Sequence, residues 1–332
     1  MPRVGLIGAG WIARDHLEIL GLLEDVSVVA VCDVDEARAR EAAGPHGADV
    51  HSDWEALLES TELDAVWVCT PPLHHREPAV AALERGLGVY LEKPVARTLD
   101  DAAAIVAAWR ASEAVCAVGY QWHAIEVLTD LREALAGQEI SLLVGRNIGA
   151  TQSRPWFLER AQGGGNILER ASHHLDLQRA VAGDVVRVQA AGSAISLAQG
   201  EEEAQGDIED AVILVLHFAH GSIGTIQVAW TRKGLPGAYD LDVFASEATL
   251  RLDLDPDFRL HGPSCGREVD VRSAMHPFER GIRRFLEANA AGDKDAVFCT
   301  PEDAERTLAV AAACEEALAS GRTVDVPTPT PA

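Results

Sequence analysis

Apolar runs of strand length alternate with amphipathic stretches of helix length through the first 119 residues. The runs are apolar at successive positions, so each strand should be covered on both faces, as in a parallel sheet between two layers of helices. The predicted strands span residues 4–7, 28–31, 65–69, 89–91 and 115–118. The pattern therefore predicts an α/β domain over residues 1–119.

The pattern changes after residue 140, where strands follow one another closely. They are predicted at 142–148, 185–194, 208–218, 222–230, 239–245 and 248–254, and the short links 219–221 and 246–247 indicate hairpin turns. Helical spacing of apolar residues predicts helices before the first of these strands and at 278–288 and 301–319. We expect residues 120–332 to form an α+β domain with a large, mostly antiparallel open sheet. Helices should cover one face of that sheet and leave the other free for a second subunit.

The first predicted connection carries the turn Gly8-Ala9-Gly10-Trp11-Ile12-Ala13, directly after a strand and at the start of a helix. In such a turn the first glycine permits a tight bend, and the second lets backbone amides approach a pyrophosphate. The strand before it and the helix after it favour a dinucleotide site over a purely structural turn. We predict that Gly8, Gly10, Trp11 and Ile12 bind the cofactor in an N-terminal Rossmann domain.

Asp33 ends the second predicted strand, 25 residues after Gly8. A carboxylate at this position accepts hydrogen bonds from the adenosine ribose hydroxyls and repels a 2′-phosphate, so the sequence favours NAD over NADP. Arg38 and Arg40 are close enough in sequence to reach a phosphate, which keeps NADP as the less favoured cofactor.

Two further loops follow predicted strands, at the sheet edge where ligands bind in open α/β folds. The first contains Thr70, Pro71 and His75, and the second contains Glu92, Lys93 and Pro94. The chain has only three lysines among 28 basic residues, and an ammonium gives up its proton far more readily than a guanidinium. Lys93 is therefore a candidate proton carrier. A strand-end ion pair is the alternative interpretation of Lys93.

Composition excludes several classes of protein. The formal net charge of −24 disfavours nucleic-acid binding, because such a chain repels phosphate backbones. No apolar run approaches the roughly 18 residues that a membrane span needs, and the first ten residues lack a signal-peptide pattern. The six cysteines are widely spaced and form no Cys-x-x-Cys pair, which is typical of buried thiols. We expect a cytoplasmic protein without membrane or nucleic-acid partners.

Four features together resemble the Gfo/Idh/MocA family of sugar and polyol dehydrogenases: the Gly-x-Gly-x-x-Ala turn, the Thr70-Pro71 loop with His75, the Glu92-Lys93-Pro94 triplet and the Gly163-Gly164-Gly165 run. The resemblance covers nearly the whole chain, and the Glu-Lys-Pro triplet is its most specific part. It implies that Lys93 contacts the substrate hydroxyl and the nicotinamide ribose, that Glu92 orients Lys93, and that Gln121 faces the cofactor. It also implies a homodimer or homotetramer that forms through the second-domain sheet.

A predicted helix after the glycine run places Glu169, His173 and Asp176 at positions i, i+4 and i+7, on one face. A carboxylate on either side of an imidazole is a plausible acid/base relay. The resemblance assigns the family's substrate-binding Asp-x-x-x-His to Glu169 and His173, with glutamate in place of aspartate. His174, Arg154 and Trp156 are further candidate substrate contacts. The same cluster could bind zinc or hold a structural histidine, but hydride transfer needs no metal and we expect none.

The resulting hypothesis is an NAD-dependent dehydrogenase that acts on a secondary alcohol of a sugar, sugar acid or inositol. Lys93, assisted by His173, would take the hydroxyl proton as hydride leaves for the nicotinamide. The hypothesis requires that these two side chains share one cavity. The alternatives are a reductase of a non-sugar carbonyl, and a dinucleotide-binding sensor or partner-binding protein that has lost catalysis.

Overall fold

The structure is a computed structural model that describes residues 1–150, 155–195, 207–231 and 234–328. Arg154 and Lys233 lie outside these ranges. Contacts divide the chain into two compact units, of which the first comprises Met1–Tyr120 with Phe278–Glu305 and the second Gln121–Pro277 with Arg306–Ala332.

The first unit contains a six-stranded parallel sheet in the order β3-β2-β1-β4-β5-β6. Its strands are β1 (Arg3–Ile7), β2 (Ser27–Cys32), β3 (Asp49–His51), β4 (Ala65–Val68), β5 (Gly88–Leu91) and β6 (Cys116–Val118). The connecting helices are α1 (Trp11–Leu22), α2 (Glu36–Ala43), α3 (Trp54–Ser60), α4 (Arg76–Glu84) and α5 (Leu99–Ala111). Every residue of β4 and β5 is buried, as the unbroken apolar runs predict. The sequence missed β3, because Val50 is its single apolar residue.

Side chains cap the starts of three of these helices. Asp35 accepts hydrogen bonds from the first turn of α2, Asp53 from that of α3 and Thr98 from that of α5. The N-cap of α1 is Gly10, which offers no side-chain acceptor. Helix α1 therefore starts without an N-cap side chain, in contrast to α2, α3 and α5.

The second unit contains a nine-stranded sheet in the order β14-β13-β12-β11-β7-β10-β9-β8-β15. After helix α6 (Val127–Ala134), its strands are β7 (Ile140–Ala150), β8 (Val185–Ser193), β9 (Ala211–Phe218), β10 (Ile223–Thr231), β11 (Ala238–Ala245), β12 (Thr249–Asp253), β13 (Arg259–Ser264), β14 (Arg267–Arg272) and β15 (Val324–Asp325). The pairing of β7 with β10 is parallel and the other pairings are antiparallel, which confirms the predicted mostly antiparallel sheet. Both predicted hairpin links join antiparallel strands.

Helical segments between β7 and β8 cover one face of this sheet. They are α7 (Pro155–Leu158), α8 (Arg160–Gly163), a π-helical turn (Ile167–Ala171) and α9 (Ser172–Ala182). Gln178 of α9 donates a hydrogen bond to the carbonyl oxygen of Thr225, 3.0 Å away on β10. The opposite face exposes large apolar side chains, among them Ile213, Ile223 and Phe244.

The C-terminal part comprises α10 (Pro277–Ala291), α11 (Pro301–Ser320) and β15 (Val324–Asp325), which pairs with β8. Residues 278–305 group with the first unit, whereas the sequence placed them in the second domain. The reason is Phe285 of α10, which is fully buried with its ring 5.2 Å from that of Trp67 and 5.6 Å from that of Tyr90. In the described ranges, no helix is long and apolar enough to cross a membrane.

Candidate active site

The glycine turn after β1 fits a dinucleotide on two independent observations. Gly8 has φ +91°, and a Cβ there would lie 2.8 Å from the backbone of Cys69 and Thr70, so only glycine is accommodated. A Cβ on Gly10, by contrast, would meet no atom within 4 Å. Gly8 thus holds the turn against the end of β4, and Gly10 leaves its outer side open for a ligand.

The first turn of α1 supplies the matching electrostatics. Its N-cap, Gly10, offers no side-chain acceptor, and its backbone N–H groups carry the positive end of the helix dipole, an arrangement that binds phosphate. Trp11 is 60% exposed at this end, whereas Ala13 is fully buried and lets the helix pack against the sheet. These residues would hold the pyrophosphate of a dinucleotide.

Asp33 braces the same turn from the end of β2. One carboxylate oxygen accepts a hydrogen bond from the amide of Ala9 (2.8 Å), and the other accepts one from the amide of Asp35 (2.9 Å). The guanidinium of Arg38 lies 3.4 Å from both oxygens. Asp33, which the sequence predicts to bind the ribose, thus lies directly after β2 and stabilises the glycine turn.

His75 joins the two loops that the sequence predicted at the sheet edge. Its side chain is wholly buried, with Nδ1 3.0 Å from the carbonyl oxygen of Pro94 and Nε2 2.8 Å from that of Thr70. Burial lowers the pKa of His75, and the surrounding carbonyl oxygens and Glu92 oppose that shift. The contacts of His75 connect the Thr70 loop with the Lys93-Pro94 segment, whose peptide bond is cis.

Glu92 and His16 form a buried pair that the sequence did not predict. Nε2 of His16 lies 2.7 Å from Oε1 of Glu92, and neither residue is more than 5% exposed. The other oxygen of Glu92 accepts a hydrogen bond from the backbone amide of Lys93 (3.1 Å). His16 lies on α1, the helix that starts at the glycine turn, so this pair connects the cofactor helix to the candidate proton carrier. The available sequence signal was the helical spacing of His16 from Ala13 and Leu17 on the buried face of α1.

In the second unit, the helix predicted to carry Glu169, His173 and Asp176 is helical throughout but starts with a π-helical turn. A π-helical turn carries Glu169, and α9 begins only at Ser172, which changes the faces that the three residues occupy. Glu169 and His173 are partly exposed, but Asp176 is 1% exposed. Asp176 lies 3.3 Å from Nδ1 of His123 and accepts a hydrogen bond from Thr307.

The remaining predicted residues fall in different environments. His174 is fully buried, donates from Nε2 to the carbonyl oxygen of Arg146 (3.0 Å), and has its pKa lowered by burial to about 4. It is a neutral side chain that ties α9 to β7, which argues against a substrate contact. Trp156 packs with Phe157, their ring centroids 5.9 Å apart. Gln121 is partly exposed in the short 3₁₀ turn Gln121–Ala124.

A six-stranded parallel sheet of this strand order, with a glycine turn, an uncapped helix and an acid after its second strand, defines a Rossmann dinucleotide-binding unit. Comparison with family models agrees: residues 2–120 match the oxidoreductase family with an NAD-binding Rossmann fold, and residues 138–251 match the C-terminal domain of the GFO/IDH/MocA family. The chain belongs to the GFO/IDH/MocA family.

Several characterised relatives are dehydrogenases. Myo-inositol 2-dehydrogenase of Thermotoga maritima is 28% identical over 76% of this chain and 75% of its own. D-apiose dehydrogenase of Paraburkholderia graminis is 29% identical over 77% of this chain and 68% of its own. A solved levoglucosan dehydrogenase in complex with NADH is similar in fold, with a TM-score of 0.84 over 98% of this chain and 99% of its own at 21% identity. The chain is an NAD-binding oxidoreductase of the sugar and inositol dehydrogenase type.

Proposed function

We propose that this protein transfers hydride between a secondary alcohol of a sugar, sugar acid or inositol and NAD, and that Lys93 is its general base. The observation that carries the proposal is the connection from the glycine turn through His16 and Glu92 to the backbone of Lys93. This connection fixes the backbone of Lys93 relative to the helix that would hold the cofactor. The inositol and apiose dehydrogenases among the relatives support this substrate class.

The chain's residues would divide the reaction as follows. When bound, the dinucleotide supplies the hydride acceptor. Lys93 takes the hydroxyl proton as the carbon–hydrogen bond breaks, which requires its neutral amine form before the transfer. His173 and Glu169 hydrogen-bond the substrate and orient the reacting hydroxyl, and His173 relays the proton onward. The reverse sequence reduces a ketone.

NAD is the favoured cofactor in this proposal because Asp33 ends β2 with a carboxylate that a 2′-phosphate would meet as a like charge. Arg38 is the residue that works against this preference, since it lies beside Asp33 with nearly half of its side chain exposed. The ratio of kcat/KM for NAD⁺ to kcat/KM for NADP⁺ measures the net preference that Asp33 and Arg38 produce, and we expect it to exceed one.

We also propose that the protein assembles as a homodimer or homotetramer through the open face of the nine-stranded sheet. That face exposes Ile213, Ile223 and Phe244, and apolar side chains of this size on a broad sheet are typical of a subunit interface.

The function is tested with Lys93→Met and Lys93→Arg, because both variants remove an exchangeable amine and the second retains the charge. A panel of inositols, pentoses, hexoses and sugar acids is assayed for NADH formation by absorbance, and NADH binding is measured by fluorescence. We expect both variants to lose at least about a hundredfold in kcat, the lower end of what one general base contributes, while binding NADH. Wild-type turnover in either variant would contradict the role of Lys93, and NADH binding without turnover of any compound would contradict the function.

A further inference from the structure

Arg170 lies in the π-helical turn, next to Glu169 and three residues before His173, and it carries a buried charge. It is 8% exposed. Its Nε and Nη2 atoms donate hydrogen bonds to Oδ1 of Asn147 on β7, at 3.2 and 2.8 Å. It also hydrogen-bonds with the side chain of Tyr239 on β11. All of these partners are neutral.

The carbonyl oxygen of Arg170 accepts a hydrogen bond from the side-chain amide of Asn147 (3.2 Å). Asn147 therefore contacts both the backbone and the side chain of Arg170. Gly149 is required nearby, because a Cβ there would overlap the hydroxyl of Tyr239 and lie 3.3 Å from Nη2 of Arg170. The guanidinium is therefore fixed in orientation by β7 and β11. Its remaining nitrogen, Nη1, is buried and has no hydrogen-bond partner among the described residues.

Arg179, on α9 of the same unit, is a second buried arginine, and its partners differ from those of Arg170. It is 7% exposed, pairs with Asp184 at 3.4 Å and donates to Thr307, which in turn donates to Asp176. Arg170 has no carboxylate within ion-pair distance in the described part of the chain. The negative charge of Glu169 still favours the charged guanidinium, without an ion pair between the two side chains. Burial consequently lowers the pKa of Arg170, although a guanidinium stays charged in any case.

A buried cation without an anionic partner is unfavourable for folding, and features that break this rule are expected at functional or strained sites. The π-helical turn that carries it is a form of helix common at functional sites. A single unpartnered nitrogen between neutral neighbours suits one carboxylate oxygen better than a doubly charged phosphate. The net charge of −24 would otherwise repel an anionic substrate, so a dedicated cation is needed to bind one.

We propose that Nη1 of Arg170 binds a carboxylate of the substrate, so that the substrates are sugar acids rather than neutral sugars or polyols. This inference rests on the proposed function, whose reacting hydroxyl it leaves to Lys93 and His173. Arg170 is then a specificity-determining residue.

The test compares matched substrates with the wild-type protein and NAD⁺: D-glucuronate against D-glucose, and D-galacturonate against D-galactose, with glucose 6-phosphate as the phosphate arm. We expect kcat/KM to be at least about tenfold higher for each acid than for its neutral partner, as one charge-assisted hydrogen bond provides. Equal or better turnover of the neutral sugars overturns the inference and leaves the proposed function intact. Preference for the phosphate ester over both acids also overturns it.

The variant Arg170→Met should reduce the acid-to-neutral ratio of kcat/KM at least tenfold, mainly through KM for the acid, and Arg170→Lys should restore part of it. Arg187→Met is the matched control, because it removes an exposed arginine of the same unit. An unchanged ratio in Arg170→Met overturns the inference. If Arg170→Met does not fold, the wild-type comparison decides.

If no compound is turned over, thermal unfolding of the wild-type protein with NADH separates the two proposals. A rise of the melting temperature with glucuronate but not with glucose supports the carboxylate site even where the function fails. Equal shifts, or none with glucuronate, overturn it.

Discussion

Individual residues around the glycine turn differ in whether the fold or the proposed cofactor site requires them. Gly8 is required by the fold, since its positive φ and its contact with the end of β4 exclude a side chain. Gly10 is different, because its φ of −73° and its open surroundings would accept alanine. Asp33 braces Ala9, and in the proposed function it also binds the ribose of the cofactor.

Gly10→Ala should leave the protein folded and weaken NADH binding at least tenfold, because the added methyl group lies where the pyrophosphate approaches the amides of α1. NADH fluorescence titration measures the affinity, and thermal unfolding measures the stability. Gly44→Ala is the matched control. A Cβ at Gly44 would likewise meet no atom within 4 Å, and its helical backbone accepts alanine, but it lies at the end of α2 and away from the glycine turn. Equal NADH affinity in the two variants would contradict the assigned phosphate site.

His16 should act as a positioning residue for Lys93. His16→Phe removes the hydrogen bond to Glu92, leaves a buried carboxylate with fewer partners and lets Lys93 shift, so kcat should fall about tenfold or more. KM for the substrate and the dissociation constant of NADH should change little, and His16→Gln should recover part of the rate because it retains a donor. A loss of NADH affinity with unchanged kcat would instead indicate a purely structural role.

At the scale of elements, the packing of helix α9 against strand β7 determines which side chains of the helix are buried. His174 and Gln178 of α9 would meet a Cβ on Gly145 at 2.6 and 2.8 Å, so this glycine lets the helix approach the sheet. The π-helical turn precedes that contact and carries Glu169. The i, i+4, i+7 spacing in the sequence could not reveal the turn, because a π-helical turn has no distinctive composition and forms where packing favours it.

His174 should make stability depend on pH. Its pKa is about 4 in the folded state and 6.5 in the unfolded state, so below pH 6.5 the unfolded state binds more protons and stability falls as pH falls. At pH 5 this amounts to about 2 kcal/mol. The destabilisation caused by His174→Gln in urea titrations should therefore be smaller at pH 5 than at pH 7 by about this amount. The exposed His220→Gln is measured as the control, and a constant effect of His174→Gln would refute the assignment.

At the scale of the whole molecule, contacts between residues distant in sequence determine which segments form a unit. Phe278–Glu305 follows the nine-stranded sheet in sequence and yet belongs to the first unit, because Phe285 packs on Trp67 and Tyr90. An amphipathic helix has an apolar stripe that any apolar surface can bury, so its sequence does not identify its partner.

Assembly into a dimer or tetramer is a property of the whole molecule. Light scattering after size exclusion should give the mass of a dimer or tetramer, and Ile213→Lys combined with Ile223→Lys should shift it toward the monomer by placing charges in an apolar interface. Leu22→Lys is the control, since Leu22 is 76% exposed on α1. A monomeric wild-type protein, or an unchanged mass in the double variant, would exclude the open face as the interface.

The local pattern by itself determined the alternation of strands and helices, the glycine turn, the acid after β2 and the Glu92-Lys93 edge, because each depends on residues that are close in sequence. The fold class predicted from these features is confirmed. Only the tertiary structure decided that His16 reaches Glu92, that His174 and Asp176 are buried, and that Arg170 is held by Asn147 and Tyr239. These are contacts between side chains far apart along the chain, and they depend on how helices pack on sheets, which a hydrophobic pattern leaves open.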